Sequence, residues 1–385
     1  MKTYLSLILL FIFTGCEHKT NWEKETRIVL NDLILQHAEW AMQQMPETIT
    51  ATVCERSAGS IHDFYSEGDY WWPDPQNPEN PYIRRDGETN PENFVAHRLA
   101  MIRFSKVVGY LASAYLVTND ESYVIHAFKH IHAWFVDPAT KMNPNLLFGQ
   151  AIKGIMTGRG FGIIDTIHLM EVAQGILRMQ DADCVDKADI QNAKNWFAAY
   201  LDWLLTHPYG IDEMNTTNNH TTWWHAQVSS FAKLTGNAQV IEMCRTRYKE
   251  MLLPRQMSED GSFPEEISRT KPYSYSLFNI DALVIICRIL SCPDDNLWEY
   301  TTDKGINLKK GIDFIFPYIQ DKSLWPYPHD TMHWDDWPVA QPFLVFAAEH
   351  YNNKTYFNLW KKQELYPTVQ EVERTVAIRN PLIWM

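Results

Sequence analysis

Apolar residues recur every three or four positions over most of the chain from residue 92 onward, in stretches separated by short polar breaks. This spacing is typical of helices that bury one face in a core, and runs that alternate with period two are nearly absent. An earlier helix over 25–45 is predicted to end at Pro46. The pattern predicts further helices over 92–117, 121–136, 161–180, 187–206, 222–235, 238–251, 275–291, 305–320, 338–351 and 354–363.

Two of the breaks resemble each other. LVTND at 116–120 and KLTGN at 233–237 each join two predicted helices. Helical hairpins that repeat around a ring would produce this similarity, so we predict an all-α fold, an (α/α) toroid of about five to seven hairpins. No linker divides the sequence, and residues 25–385 are therefore predicted to form a single catalytic domain.

The N-terminus has the features of an export signal. Lys2 precedes an apolar run over residues 4–13, which is about half of the roughly 20 residues needed to span a bilayer. The small residue before Cys16 resembles a bacterial lipoprotein signal, in which the cysteine is lipidated. We expect a signal peptide over 1–16, a spacer over 17–24, and a lipoprotein of a Gram-negative bacterium, periplasmic or anchored at the outer membrane or cell surface only through Cys16.

Composition limits the classes of partner. The chain has 385 residues, 45% of them hydrophobic, which is enough for a large core. Its 34 Lys and Arg against 47 Asp and Glu give a net charge of −13, so nucleic acid is not an expected partner. An anionic ligand would need a local cluster of basic residues. We expect a monomer, and the five cysteines after Cys16 do not suggest a disulfide framework.

The stretch 215–227, NTTNNHTTWWHAQ, combines amide, imidazole and indole groups. Asn can donate hydrogen bonds to a carboxylate, His can transfer a proton near neutral pH, and Trp can stack on a sugar ring. The structural alternative is a helix start with Thr216, Thr217 or Asn218 as N-cap and the tryptophans in the core.

Four other breaks concentrate polar and aromatic residues: 69–92, which is too rich in proline for a helix, 149–162, 260–276 and 325–338. The basic residues in these breaks could instead be ordinary surface charges, and the aromatic residues could simply pack in the core. The pairs His126/His130 and His329/His333 have helical metal-ligand spacing, but the first lacks a carboxylate and prolines interrupt the second, so no metal site is predicted. The candidate substrate-binding residues are Trp71, Trp72, Arg84, Arg85, Gln150, Arg159, Asn218, Trp223, Tyr273 and His333.

The motifs YWWPDP, PYIRRDG and NPE, then NNH before WW, then E-x-x-x-R-T leading to tyrosines, resemble those of the alginate lyase superfamily. These are helical-toroid polysaccharide lyases and include polysaccharide lyase families 5 and 38. The resemblance covers roughly residues 60–281 and implies an (α/α) toroid and metal-free catalysis without a cofactor. The catalytic residues it implies are Asn219, His220, Arg269 and Tyr275, with Tyr273 as the other candidate for the tyrosine.

The resemblance implies β-elimination on a 1,4-linked polyuronate, such as mannuronate-rich alginate or glucuronan, which leaves 4,5-unsaturated ends. Asn219 with Arg269 or Arg159 would neutralise the substrate carboxylate. Tyr275 is expected to act as base and acid, with its pKa lowered by Arg269 or a histidine. His220 would orient the site, or serve as base where the proton and the leaving oxygen lie on opposite ring faces.

Two alternatives stay open at this point. One is a surface lipoprotein that binds glycans without cleaving them. The other is a glycoside hydrolase on the same ring, which would use two carboxylates. Its candidate carboxylates are Asp212, Glu213, Glu265, Glu266, Asp335 and Asp336.

Overall fold

The computed structural model describes residues 20–385. The expected signal peptide and Cys16 lie outside the described residues. The first helix begins at Trp22, three residues earlier than expected, because the Asn21 side chain accepts a hydrogen bond from the Lys24 N–H and caps it. The α-helices are α1 Trp22–Met42, α2 Ala96–Thr118, α3 Glu121–Phe135, α4 Leu169–Met179, α5 Lys187–Thr206, α6 Pro208–Met214, α7 Asn219–Thr235, α8 Ala238–Arg247, α9 Leu253–Gln256, α10 Pro264–Ile267, α11 Pro272–Leu290, α12 Leu308–Gln320, α13 Pro342–His350, α14 Lys354–Trp360, α15 Gln370–Thr375 and α16 Pro381–Trp384.

The helices form a ring. Helix α2 contacts α4, α4 contacts α7, α7 contacts α11, and α11 contacts α13. Helix α1 contacts both α2 and α13, which completes the circuit. The intervening helices α3, α5, α8, α12 and α14 pack on this series, and their faces away from it are exposed. The predicted all-α toroid is therefore confirmed.

The inner helices are apolar on most of their circumference because they are covered on most sides. Helices α2 and α11 are long and apolar enough to cross a membrane by composition, but 72% and 89% of their most apolar windows are buried within the fold. Their hydrophobicity is explained by their place in the ring.

Short strands hold the proline-rich loop against the ring. Strand β1, Tyr65–Glu67, pairs in parallel with β4, Phe148–Ala151, while β2, Trp71–Trp72, pairs antiparallel with β3, Ile83–Arg84. The loop predicted over 69–92 therefore has a defined hairpin instead of an irregular path. This hairpin lies next to the residues described below.

Several helix predictions differ from the structure in informative ways. The segment predicted as a helix over 161–180 begins as a 3-10 helix, Gly160–Thr166, before α4. The segment over 238–251 changes to a π-helix at Tyr248–Leu252, just before Pro254. Helices α6, α15 and α16 were not predicted, since each has seven residues or fewer and too little length to show a period.

Candidate active site

The first turns of α7 and α11 bring the NNH and tyrosine motifs together. Asn218 caps α7, and its side chain accepts a hydrogen bond from the His220 N–H, so Asn219 and His220 occupy the first turn. At α11, the carboxylate of Asp330 accepts from the backbone N–H groups of Tyr273 and Ser274 at 2.8 and 3.0 Å. Because α7 and α11 are neighbours in the ring, the two first turns face one cavity.

All four residues that the family resemblance implies as catalytic line this cavity of about 170 Å³: Asn219, His220, Arg269 and Tyr275. Five of the ten candidate substrate-binding residues line it as well. These are Trp71, Arg84, Gln150, Arg159 and His333. The other five do not border the cavity: Trp72, Arg85, Asn218, Trp223 and Tyr273.

The residues outside the cavity have structural contacts. Tyr273 is fully buried, and its hydroxyl donates to the Tyr318 carbonyl at 3.0 Å. Trp223 is also buried and packs on Phe278, with ring centroids 4.6 Å apart. Of the two candidate tyrosines, only Tyr275 therefore faces the cavity.

Trp72 and Arg85 form a pair on the loop hairpin. The Arg85 guanidinium lies 4.9 Å from the Trp72 ring centroid, and the indole N–H donates to the Glu88 carbonyl at 2.9 Å. Both side chains are half-buried. The stacked pair stiffens the hairpin beside the cavity.

His220 is held by a buried carboxylate. Its Nδ1 lies 2.5 Å from Oε1 of Glu213, a residue of α6 that is only 1% exposed. Since an ionised carboxylate only accepts hydrogen bonds, Nδ1 carries a proton, and in the neutral imidazole Nε2 keeps its lone pair. Phe161 packs on the imidazole ring with centroids 4.6 Å apart, which further fixes its orientation.

Asn219 is held by a second buried carboxylate. Its backbone N–H and its Nδ2 donate to the two oxygens of Glu266 at 2.5 and 2.6 Å. Glu266 is fully buried in α10, and this burial raises its pKa to about 7 against the hydrogen bonds from Asn219 and the charges of Arg269 and His220. The sequence suggested Glu213 and Glu266 only as hydrolase carboxylates, because their distances to Asn219 and His220 are not visible in it.

Tyr275 makes a hydroxyl pair with a residue that the sequence did not identify. Its Oη lies 2.5 Å from Oη of Tyr70, and the Arg269 guanidinium lies 5.0 Å from its ring centroid. Burial and Tyr70 raise the pKa of Tyr275 well above its ordinary value, while Arg269 opposes this. The expectation of a lowered pKa was wrong for the free enzyme, because it counted the cation and not the loss of solvent.

Arg269 is not free to move. Its Nε and Nη2 donate to Asp86 at 3.3 and 3.0 Å, and the Thr270 hydroxyl donates to the same carboxylate at 2.9 Å. Burial opposes its charge, while Tyr275 and Asp86 raise its pKa. These contacts hold Arg269 next to Tyr275 and join the loop to the start of α11.

Arg159 differs from the other basic residues of the cavity. Within residues 20–385 it forms no ion pair, its Nη2 donates to Gln150 Oε1 at 2.7 Å, and its buried Nε has no hydrogen-bond partner. Gln150 is held at a positive φ of 49°, a conformation that costs energy outside glycine. Burial and Arg84 lower the pKa of Arg159, and the charges of Asp69, Glu213 and Asp165 offset this only in part.

Comparison with known proteins identifies the family. The sequence matches the family profile described as alginate lyase over residues 48–325. The chain belongs to the alginate lyase family. A comparison with curated protein sequences finds no match.

The solved structures of other family members show the same fold. An alginate lyase from Bacteroides ovatus is 28% identical, with a TM-score of 0.81 over 94% of this chain and 97% of that one. Alginate lyase A1-III from Sphingomonas species A1 is 13% identical, with a TM-score of 0.53 over 82% and 85% of the two chains. A variant of A1-III complexed with a tetrasaccharide is also 13% identical, with a TM-score of 0.56 over 84% and 88%. This chain is therefore a polysaccharide lyase by family.

A buried network of ion pairs, which the sequence analysis did not identify, lines part of the cavity in this chain. Arg98 donates to Asp69 at 2.8 Å and to Asp165 at 3.1 Å, and Arg374 lies 3.0 Å from Asp69. Lys271 and Arg374 both pair with Glu371, at 2.8 and 3.1 Å. Glu371 and Arg374 belong to α15, beyond the matched range 48–325, so the C-terminal segment helps to build the site.

The two histidine pairs considered as metal ligands have other contacts. His126 and His130 both approach the Gln44 carbonyl, at 3.0 and 3.2 Å, and His329 stacks on Trp334 at 4.0 Å between centroids. His333 pairs with Asp336 at 2.8 Å. Residues 20–385 contain no group of three or more His, Cys, Asp or Glu side chains that could hold a metal ion.

Proposed function

We propose that this lyase cleaves a 1,4-linked polyuronate, mannuronate-rich alginate or glucuronan, by β-elimination that leaves 4,5-unsaturated uronate ends. The observation that carries the proposal is the convergence of Asn219, His220, Arg269 and Tyr275 on one cavity. The alginate lyase from Bacteroides ovatus and the tetrasaccharide complex of A1-III support an acidic glycan as the substrate. In this proposal, protein groups and not a metal ion neutralise the substrate carboxylate.

The first requirement is to neutralise the C6 carboxylate, because the C5 proton is barely acidic while that group keeps its full charge. Arg159 lines the cavity, and within residues 20–385 its guanidinium makes one hydrogen bond, to Gln150, so it has N–H groups left for a ligand. One N–H of the Asn219 amide also remains after its bond to Glu266. Hydrogen bonds from these donors strengthen as charge moves onto the carboxylate in the transition state. Arg269 would add to the positive potential while it holds Tyr275 in place.

The second requirement is a pair of proton transfers. The raised pKa of Tyr275 keeps its phenol protonated, so it is ready to donate to the leaving C4 oxygen. The Nε2 lone pair of His220 is ready to accept the C5 proton where the two groups lie on opposite ring faces. In mannuronate and glucuronate they lie on the same face, and there Tyr275 would serve as both base and acid. After its phenol proton is released to solvent, the phenolate, stabilised by Arg269, would take the C5 proton and pass it to the leaving C4 oxygen.

The hydrolase alternative lacks suitable carboxylates. Glu213 and Glu266 are buried behind His220 and Asn219 and do not border the cavity. The three carboxylates that do border it, Asp69, Asp165 and Glu371, are all ion-paired. A glycosidase needs one carboxylic acid and one free carboxylate at the scissile bond.

A protein that only binds glycans would not explain the buried carboxylates and the paired phenols of this site. A surface that only held a glycan would need no buried carboxylates behind Asn219 and His220, and no phenol pair between Tyr70 and Tyr275. Buried charges reduce stability unless they are paired and hydrogen-bonded, so their presence here is better explained by a role in positioning Asn219 and His220. This arrangement favours a reaction.

An absorbance assay tests reaction and substrate class together. The purified protein is incubated with polymannuronate, polyguluronate, glucuronan and a glycosaminoglycan, and the conjugated double bond of the product is followed in the ultraviolet. We expect absorbance to rise most with polymannuronate or glucuronan. Reducing ends that form without new absorbance would support the hydrolase, and binding without chain shortening would support the binding protein.

Variants of two nearby tyrosines sharpen the test. Tyr275→Phe should abolish turnover, whereas Tyr273→Phe should keep it, because Tyr273 is equally aromatic, two positions away and outside the cavity. On polyguluronate, His220→Gln should be as damaging as Tyr275→Phe. Near-normal turnover by Tyr275→Phe on polymannuronate would remove this residue from both proton transfers.

We further propose that the protein is an exported monomer, anchored through a lipid on Cys16 in the periplasm or at the cell surface. The support is the sequence of residues 1–16 alone. Fractionation of cells that produce the full chain and its Cys16→Ser variant would test this. Equal membrane association of the two would contradict the anchor.

A further inference from the structure

We propose that Glu266 is a positioning residue that orients the Asn219 amide toward the substrate, and only in its ionised form. The inference rests on the proposed lyase function and adds a residue to it. Its basis is geometric: one carboxylate accepts from both the backbone N–H and the side-chain Nδ2 of Asn219, at 2.5 and 2.6 Å.

The carboxylate determines which way the amide faces. Two acceptor oxygens have no proton to offer, so the side of the Asn219 amide that faces Glu266 must be its NH₂ group. One N–H of this group is used, and the amide oxygen accepts no hydrogen bond from any residue of 20–385. The second N–H and the oxygen are then left for the cavity, in a fixed arrangement.

Protonation of Glu266 removes this arrangement. In a carboxylic acid the hydroxyl oxygen carries a proton and is a poor acceptor, so one of the two bonds from Asn219 is weakened. The hydroxyl can instead donate to an amide oxygen, which favours the amide turned over, with its oxygen where an N–H had been. An amide oxygen facing the C6 carboxylate would repel the charge that the N–H should stabilise.

The surroundings of Glu266 make both forms accessible near neutral pH. Burial raises its pKa to about 7, opposed by Asn219, Arg269 and His220. The charged or titratable groups that face it are His220 on the first turn of α7, backed by Glu213 on α6, and Arg269 after α10. Other groups of the site can also respond to pH, so the experiment must isolate the contribution of Glu266.

The neighbour Glu265 offers a matched control. It lies on the same short helix but is exposed, and its only side-chain contact within residues 20–385 is with the Thr217 hydroxyl at 3.5 Å. Glu265→Gln removes the same charge from nearly the same place without touching Asn219. Glu266→Asp keeps the charge but shortens the side chain, so it should restore part of the effect.

The kinetic test compares Glu266→Gln with these variants on the best polyuronate. We expect kcat to fall about 10- to 100-fold for Glu266→Gln with little change in KM, to recover partly in Glu266→Asp, and to be unchanged in Glu265→Gln. In the Asn219→Ala background, Glu266→Gln should cost almost nothing further. Toward acid pH, log kcat should fall more steeply in the wild type than in Glu266→Gln, because the variant has no carboxylate at this position to protonate.

A spectroscopic readout does not depend on turnover. In protein labelled with ¹⁵N-asparagine, the side-chain NH₂ signal that disappears in Asn219→Ala should move with pH with a midpoint of about 7 in the wild type and not in Glu266→Gln. A signal that ignores pH, or additive costs of Glu266→Gln and Asn219→Ala, would overturn the inference. Failure of the wild type to act on any polyuronate would overturn the proposed function and leave the amide signal as the deciding result for Glu266.

Discussion

Arg159 gives the sharpest prediction, because the structure separates its effect on activity from its effect on stability. It is a basic side chain in the cavity, and within residues 20–385 its buried Nε has no hydrogen-bond partner and its Nη2 makes one hydrogen bond, to Gln150 at 2.7 Å. Burial lowers its pKa, and the charges of nearby carboxylates offset this only in part. Such a group is expected to be costly until an anion binds to it.

Arg159→Met keeps most of the length of the side chain and removes the charge. Each hydrogen bond between a guanidinium and a carboxylate contributes about 1.5–3 kcal/mol, so losing two should lower kcat/KM by about 10²- to 10⁴-fold. Loss of the Gln150 bond costs about 1 kcal/mol, while relief of the buried charge returns a similar amount. The free energy of unfolding should therefore stay within about 1 kcal/mol of the wild-type value.

The assay combines initial rates, urea unfolding and thermal shifts. A bound uronate tetrasaccharide should raise the Tm of the wild type by mass action, and Arg159→Met should lose most of that rise while keeping the Tm of the free protein. Arg255→Met is the control, since Arg255 is exposed and far from the cavity lining. A variant that is destabilised by more than about 3 kcal/mol, or that keeps wild-type kcat/KM, would refute the reasoning.

Three further predictions follow from the same contacts. Glu213→Gln should lower kcat about 10- to 100-fold on substrates that use His220 as base, measured by absorbance, since a neutral amide holds the imidazole less strongly. Trp223→Ala should reduce the free energy of unfolding by about 3–5 kcal/mol in urea, with KM of the folded fraction unchanged, because Trp223 is core. The pKa of Glu266 is raised from 4.5 to about 7, so its contribution to the free energy of unfolding is present below pH 4.5 and is lost as pH rises to 7. In urea unfolding, the wild type should therefore lose about 3 kcal/mol over this pH range, and Glu266→Gln should not.

The features of the fold that repeat along the chain could be predicted from the sequence. The period of apolar residues located the long helices. Asn218 caps α7, and it was one of the three N-cap candidates in the sequence. That cap also explains why Asn219 and His220 occupy the first turn of an inner helix. Short helices such as α6 and α15 were missed, since tertiary contacts and not their own sequence stabilise them.

The missing parts of the site are contacts between distant segments. Tyr70 lies one position before the tryptophans that attracted attention, and only the ring places its hydroxyl beside Tyr275, 205 positions away. Glu371 and Arg374 come from the end of the chain and reach the cavity through α15. Periodicity does not mark such residues, and the motif YWWPDP contains Tyr70 without assigning it a role, because their importance depends on what faces them.

The charge of the cavity connects the composition to the proposed substrate. Six basic side chains border it against three acidic ones: Arg84, Arg98, Arg159, Arg269, Lys271 and Arg374 against Asp69, Asp165 and Glu371. The carboxylates of Asp86, Glu213 and Glu266 lie behind this lining and offset the other three basic groups, so at this site the excess of positive charge among residues 20–385 is confined to the cavity surface, in a chain of net charge −13. Most of these cations are committed to buried pairs that shape the cavity, and Arg159 is left to meet an anion. The net negative charge of the protein repels polyanions in general. Attraction of an anionic glycan must therefore come from basic groups inside the cavity, which neutralise the substrate carboxylate that enters it.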